Sequence, residues 1–139
     1  MKIPLTIQTN TNNCGPACLK MVADYYGKFY DLDFLNLKCK LTKRGASMLK
    51  LSKAARAIGF ECRGVKMGIE QLKEVVQEIP VILHWEKNHF VVVYKTPKPN
   101  RKGLFYIADP AKGFKKYQEN AILKSWLVKR NGYCLLIEQ

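Results

Sequence analysis

Ile79-Pro80-Val81-Ile82-Leu83-His84-Trp85-Glu86-Lys87-Asn88-His89-Phe90-Val91-Val92-Val93-Tyr94 divides this chain into two halves with different hydrophobic periods. Before it, Ile69, Leu72, Val75, Val76 and Ile79 recur at helical spacing, and Pro80 then lacks the N–H that a continuing helix needs. After it, Val81–Trp85 and His89–Tyr94 are short runs of β-branched and aromatic residues, which predicts two strands joined through the polar Glu86-Lys87-Asn88 loop.

Working toward the N-terminus, Ser47–Ile58 sets Met48, Leu51, Ala55 and Ile58 on one face and Lys50, Lys53 and Arg56 on the other, with Gly59 as a stop. A short helix is expected after Asp31, through Leu32, Leu35 and Leu37. From Cys14 to Gly27 the spacing of Cys18, Met21, Val22 and Tyr25 predicts another, with Pro16 suited to its first turn. Toward the C-terminus, Leu104–Ile107 reads as a strand, Lys95–Gly103 as an exposed hairpin connection, Gln118–Trp126 as a helix and Tyr133–Ile137 as a last strand. Helices followed by strands define an α+β domain, with N-terminal helices packed on a C-terminal antiparallel sheet.

The 139 residues are expected to form one domain, large enough to enclose a hydrophobic core without disulfides or metal. Lys and Arg number 24 against 11 Asp and Glu, a net charge of +13, so an acidic partner is expected, whether nucleic acid, anionic membrane or acidic polypeptide. Neither a nucleic-acid-binding motif nor basic residues interleaved with aromatics is present, so no specific nucleic acid is assigned. The longest apolar run, Phe90–Tyr94, falls far short of the roughly 20 residues of a membrane span. The N-terminus lacks the pattern of a secretory signal, which places the chain in the cytosol. There, five scattered cysteines (14, 18, 39, 62 and 134) are expected as reduced thiols.

Cys14 differs from the other four because it opens a helix. A helix N-terminus and a neighbouring imidazolium both stabilise a thiolate, lowering a thiol pKa from about 8.5 to as little as ~3–4. Gly15 allows close backbone approach at this turn. Cys18 lies one turn on, toward the core, and Cys39, Cys62 and Cys134 have no comparable surroundings. Of two histidines, His84 sits within an apolar strand and reads as a packing residue, whereas His89 begins a strand at a loop, where a side chain reaches a cleft edge. Asp109 in Ile107-Ala108-Asp109-Pro110 ends a strand expected to pair with the His89 strand. It is placed to orient the imidazole, although Asp-Pro also commonly opens a turn. Zinc is a poor reading, because Cys14 and Cys18 share a helix and the histidines do not match finger spacing. A thioredoxin-type redox pair is weak too, since Cys14-Gly15-Pro16-Ala17-Cys18 has one residue too many. No metal and no cofactor is assigned.

Taken together, several motifs resemble one family, the double-glycine leader peptidases found at the N-termini of bacteriocin and peptide-pheromone ABC exporters. They are Gln8, Asn13-Cys14-Gly15-Pro16-Ala17-Cys18-Leu19, Tyr25-Tyr26-Gly27, Arg44-Gly45-Ala46-Ser47, Ala54-Ala55, Ile58-Gly59-Phe60, Ile79-Pro80-Val81-Ile82, His84-Trp85, His89-Phe90-Val91-Val92-Val93 and Asp109-Pro110. The resemblance covers nearly the whole chain and implies a papain-like fold. It implies Cys14 as nucleophile, His89 as general base, Asp109 as the orienting carboxylate and Gln8 as an oxyanion-hole donor beside the Cys14 amide. The implied reaction is cleavage after Gly-Gly or Gly-Ala at the end of a leader peptide. The partners it implies are a precursor with an amphipathic leader helix and the membrane and ATP-binding domains of an exporter, at the cytoplasmic face of the membrane.

Family members often carry an acidic residue just before the nucleophile, where this chain has Asn12 and Asn13. The chain reads either as the N-terminal domain of a longer transporter or as a free-standing peptidase. A catalytically silent leader-binding module is the alternative function; retention of Cys14, His89 and Asp109 together argues against it.

Overall fold

In a computed structural model, residues 1–126 and 130–139 are described. The first helices are α1 (Cys14–Tyr25), α2 (Leu32–Lys38) and α3 (Met48–Ala57). Strand β1 (Glu61–Met67) and helix α4 (Ile69–Val76) follow, then β2 (Val81–Trp85), β3 (His89–Lys95), β4 (Leu104–Asp109) and β5 (Gly113–Gln118). Helix α5 (Glu119–Trp126) and strand β6 (Gly132–Glu138) complete the order.

The six strands form one sheet in the order β1-β6-β2-β3-β4-β5, with every neighbouring pair antiparallel. Side chains alternate across it. Ile82, Phe90, Val92, Ala108, Leu135 and Ile137 pack with Cys18, Leu19, Met21, Val22 and Leu51 of α1 and α3. Val81, Leu83, Val91, Val93, Phe105, Ile107 and Leu136 pack with Leu72 and Val76 of α4 and Ile122 and Trp126 of α5. Helices therefore cover both faces of the sheet, which is why Phe90–Val93 is an unbroken apolar run rather than an alternating one. Each buried Val, Leu, Ile, Phe or Met among these contributes roughly 1.5–3 kcal/mol relative to exposure.

Two strands lie outside the sequence-based expectation, and both are at sheet edges. In β1, Arg63, Gly64 and Lys66 interrupt the apolar pattern, and in β5 Lys115 and Lys116 do so. Charged edges discourage pairing with another chain, and the same charges remove the composition by which a strand is recognised. The expected helix through Ile79 ends at Val76, and Gln77–Ile79 turn toward Pro80.

On α4, Lys73 is 1% exposed and its Nζ meets Glu70 at 2.9 Å, Glu119 at 2.8 Å and the Arg101 carbonyl at 2.7 Å. One cation thus ties α4, the β3–β4 hairpin and α5 together, at the hairpin end of β3 and β4 and opposite the strand ends that carry His89 and Asp109.

Candidate active site

The Cys14 thiol is placed by α1, whose N-terminus meets the start of β3. Asn13 stands in the N-cap position yet makes no side-chain bond to the helix. Instead it is fully buried, with Oδ1 accepting from the Thr9 and Asn10 N–H groups at 3.1 and 3.3 Å and Nδ2 donating to Thr9 Oγ1 at 2.8 Å. The side chain that would ordinarily cap α1 is spent on folding the preceding loop. No acidic residue occupies the first turn of α1, so the opening amides keep their positive potential for an anion at Cys14. Gly15 does permit a close approach: a Cβ there would lie 3.0 Å from Leu51 Cδ2 on α3, so its absence lets α1 and α3 close together under the site.

His89 begins β3 and Asp109 ends β4, and pairing of Val92 with Ala108 aligns the two strand ends. His89 Nε2 lies 2.8 Å from Asp109 Oδ1. Asp109 is 4% exposed, and the same oxygen accepts the Ala111 N–H at 2.8 Å. Asp109 therefore both opens the turn and contacts the imidazole. Burial pushes its carboxyl up, but the His89 hydrogen bond and the Ala111 and Lys112 amides outweigh this and hold it below the usual carboxylate range.

With Nε2 engaged, Nδ1 is the imidazole nitrogen left to act on the Cys14 thiol. Burial lowers the His89 pKa, but the bonds and charges of Asp109 and Cys14 prevail and raise it to about 9. Conversely, burial raises the Cys14 pKa. The His89 hydrogen bond, the Phe90 N–H, the His89 charge and the Gly15 N–H outweigh it, so the thiol lies below its ordinary value. The other four cysteines move the opposite way. Burial raises Cys18 and Cys62, and pushes Cys39 and Cys134 up to about 12. A thiolate–imidazolium pair is thus favoured at one cysteine out of five.

Gln8 stands close to this group through its backbone, whose N–H donates to the Pro110 carbonyl at 2.8 Å. Its side-chain Nε2 is turned onto the Asn10 carbonyl at 2.7 Å, and Oε1 is buried with no partner among the described residues. The structure therefore brings Cys14, His89 and Asp109 together and anchors Gln8 beside them, with its amide held by Asn10. His84 stacks on Phe90 at 4.9 Å and bonds Asn88 Oδ1 at 3.0 Å, the packing role its apolar strand predicted. Sequence reasoning missed the Phe90 N–H and the work of Asn13. A backbone donor leaves no trace in residue type, and a buried asparagine is legible only as a possible cap.

A thiol at a helix N-terminus, facing an imidazole at the end of a central strand of an antiparallel sheet, is the arrangement of papain-like cysteine peptidases. Comparison with known proteins narrows the class: the profile of the Peptidase C39 family matches residues 2–139, and the chain belongs to that family. It is 36% identical over 114 residues to the Escherichia coli colicin V secretion/processing ATP-binding protein CvaB, covering 82% of this chain. With the Pediococcus acidilactici pediocin PA-1 transport/processing ATP-binding protein PedD it shares 32% over 127 residues, covering 87% of this chain. The chain spans only 16% and 17% of the lengths of these two relatives.

Among solved structures, a double glycine motif protease from an AMS/PCAT transporter, in complex with its leader peptide, superposes with a TM-score of 0.83 at 34% identity. That match covers 99% of this chain and 91% of the other. The peptidase domain of Streptococcus ComA, a bifunctional ABC transporter, gives 0.84 at 28% identity over 96% of each chain.

Proposed function

We propose that this chain removes leader peptides from secreted peptide precursors by cutting after a Gly-Gly or Gly-Ala pair, as the peptidase domain of an ABC exporter acting at the cytoplasmic face of the membrane. The observation that carries this reading is the Asp109–His89 bond through Nε2, which leaves Nδ1 for a thiol whose pKa is lowered.

In this reading the Cys14 thiolate attacks the carbonyl of the second glycine, and His89 holds the thiol's proton as an imidazolium steadied by Asp109. The tetrahedral oxyanion is met by the Cys14 N–H and by Gln8 Nε2, which exchanges the Asn10 carbonyl for the substrate oxygen. Each such donor is worth about 10²–10³ in rate. The imidazolium gives its proton to the departing amine, and a thioester to the leader remains. Water, deprotonated by His89, then attacks the thioester and releases the leader carboxylate and the free thiol.

Glycine beside the scissile bond fits a nucleophile only 7% exposed, since a side chain there would have to displace the walls of the cleft. The relatives' roles in secretion, processing and transport support a secreted-peptide substrate and an ATP-binding partner domain. Among the described residues no helix is long and apolar enough to cross a membrane, so anchoring would come from such a partner domain.

The test is mass spectrometry of a leader peptide ending in Gly-Gly plus a short mature segment. A single cut after the second glycine that vanishes in Cys14→Ala is expected. Binding without cutting by both proteins would replace this reading with that of a docking module.

A further inference from the structure

The turn between α2 and α3 forms one wall of the cleft in which Cys14 lies. Thr42 and Gly45 close it through Gly45 N–H to the Thr42 carbonyl at 2.9 Å and the reverse bond at 3.4 Å. Thr42 Oγ1 donates to the Gly45 carbonyl at 3.2 Å and accepts the Arg44 N–H at 3.2 Å. Gly45 has φ +87°, where a side chain is strained, and a Cβ there would lie 3.2 Å from the Asn12 carbonyl oxygen. Asn12 Nδ2 donates to the Thr42 carbonyl at 2.8 Å. The turn is therefore rigid and fastened to the loop that carries the nucleophile.

At its tip stand Lys43 and Arg44. Both line the same cleft of about 240 Å³ as Cys14, and no carboxylate is among its lining residues. Neither cation makes an ion pair among the described residues. Nor do they serve the thiol: the groups that lower the Cys14 pKa are His89, Phe90 and Gly15. Two exposed, unpaired cations carried on a rigid turn beside a nucleophile, with no task in tuning it, await an anion that arrives with the substrate. An extended peptide advances about 3.3 Å per residue, so a cleft of this size meets side chains within roughly three residues of the scissile bond. Arg44 can hold a carboxylate with two parallel bonds and Lys43 adds a point charge.

We infer that Lys43 and Arg44 form a specificity subsite for an acidic side chain of the substrate, carried within three residues of the cleavage point. The inference rests on the peptidase reading and adds to it a preference that overall positive charge cannot supply. A diffuse charge would speed association with acidic peptides wherever their carboxylates lie, whereas a fixed turn favours one position.

Leader-derived Gly-Gly peptides with Glu or Gln at each of the three positions on either side of the scissile bond test this, read as the Glu-to-Gln ratio of kcat/KM. The wild type is expected to show a ratio of about ten at one position, carried mostly by KM and falling at high salt. In the double variant Lys43→Gln/Arg44→Gln the ratio falls to about one. Because the ratio compares two peptides on one protein, a general loss of activity in the variant leaves it interpretable. Ratios near one at every position in the wild type, or a preference that survives in the double variant, overturn the subsite. Failure of the wild type to cut any of the peptides overturns the peptidase reading beneath it.

Discussion

Replacing Asp109 with Asn separates the charge of the proposed triad from its shape. The amide oxygen can still accept the Ala111 N–H, so the turn at 109–112 is retained. What is lost is the negative charge on the 2.8 Å contact to His89 Nε2. A charge-assisted bond contributes about 1.5–3 kcal/mol against about 1 for a neutral one, a difference of ~0.5–2 kcal/mol. The His89 side chain is 23% exposed, so solvent screens part of this and about 1 kcal/mol remains. At about 1.4 kcal/mol per pH unit, the imidazolium becomes easier to deprotonate by ~1 unit.

The sign follows from the two shifts. A raised His89 pKa keeps the imidazolium below about 9 and loses it as pH rises through that value. A lowered Cys14 pKa keeps the thiolate down to pH values below its ordinary range. The pair is active between these limbs. In Asp109→Asn the basic limb of kcat/KM is expected to move down by ~1 pH unit, with a peak lowered ~10–100-fold by the less restrained ring. Stopped assays of peptide cleavage across pH read both quantities. A basic limb that stays at its wild-type position refutes the reasoning, because His89 would then not owe its charge to Asp109.

Gln8→Ala is expected to lower kcat by about 10²–10³ with little change in KM, since the donor acts only on the oxyanion; equal changes in both constants would point to a binding role. Asn13→Asp keeps the acceptor for Thr9 and Asn10 and introduces a negative charge beside the thiolate. The acid limb should therefore move up in pH, and a limb that stays in place contradicts the electrostatic account. Gly132→Ala would drive a methyl group into the Trp126 indole, so a loss of ~1–3 kcal/mol in chemical denaturation is expected, against no loss if the ring can yield.

Much of this arrangement was legible before the coordinates. The change of period at Pro80 gave the α+β division, and the run Phe90–Val93 gave a central strand, because burial on both faces writes itself directly into composition. Cys14, His89 and Asp109 were legible because each stands at the end of an element, where side chains converge on a cleft. Strands β1 and β5 were not, since edge strands carry lysine and arginine where central ones carry valine. The amide of Gln8, expected in the oxyanion hole, is held by the Asn10 carbonyl in the substrate-free chain, a rotamer that residue type does not specify. Of the Thr42–Gly45 turn, only Arg44-Gly45 stood out in the sequence, as part of a motif of the family resemblance. Its tether to Asn12 joins residues thirty positions apart, which no local pattern encodes.

The central claim is that one thiol, Cys14, attacks a carbonyl held after a glycine pair. A leader-derived peptide whose second glycine ends in a chloromethyl ketone presents that carbonyl in a form that alkylates the attacking thiolate irreversibly. Intact-mass and tandem mass spectrometry after stoichiometric incubation would locate the bond. The account expects one adduct, on Cys14, formed at neutral pH and abolished by the unlabelled leader peptide in excess. An adduct on Cys18, Cys39, Cys62 or Cys134, or an unmodified protein after prolonged exposure, would contradict it.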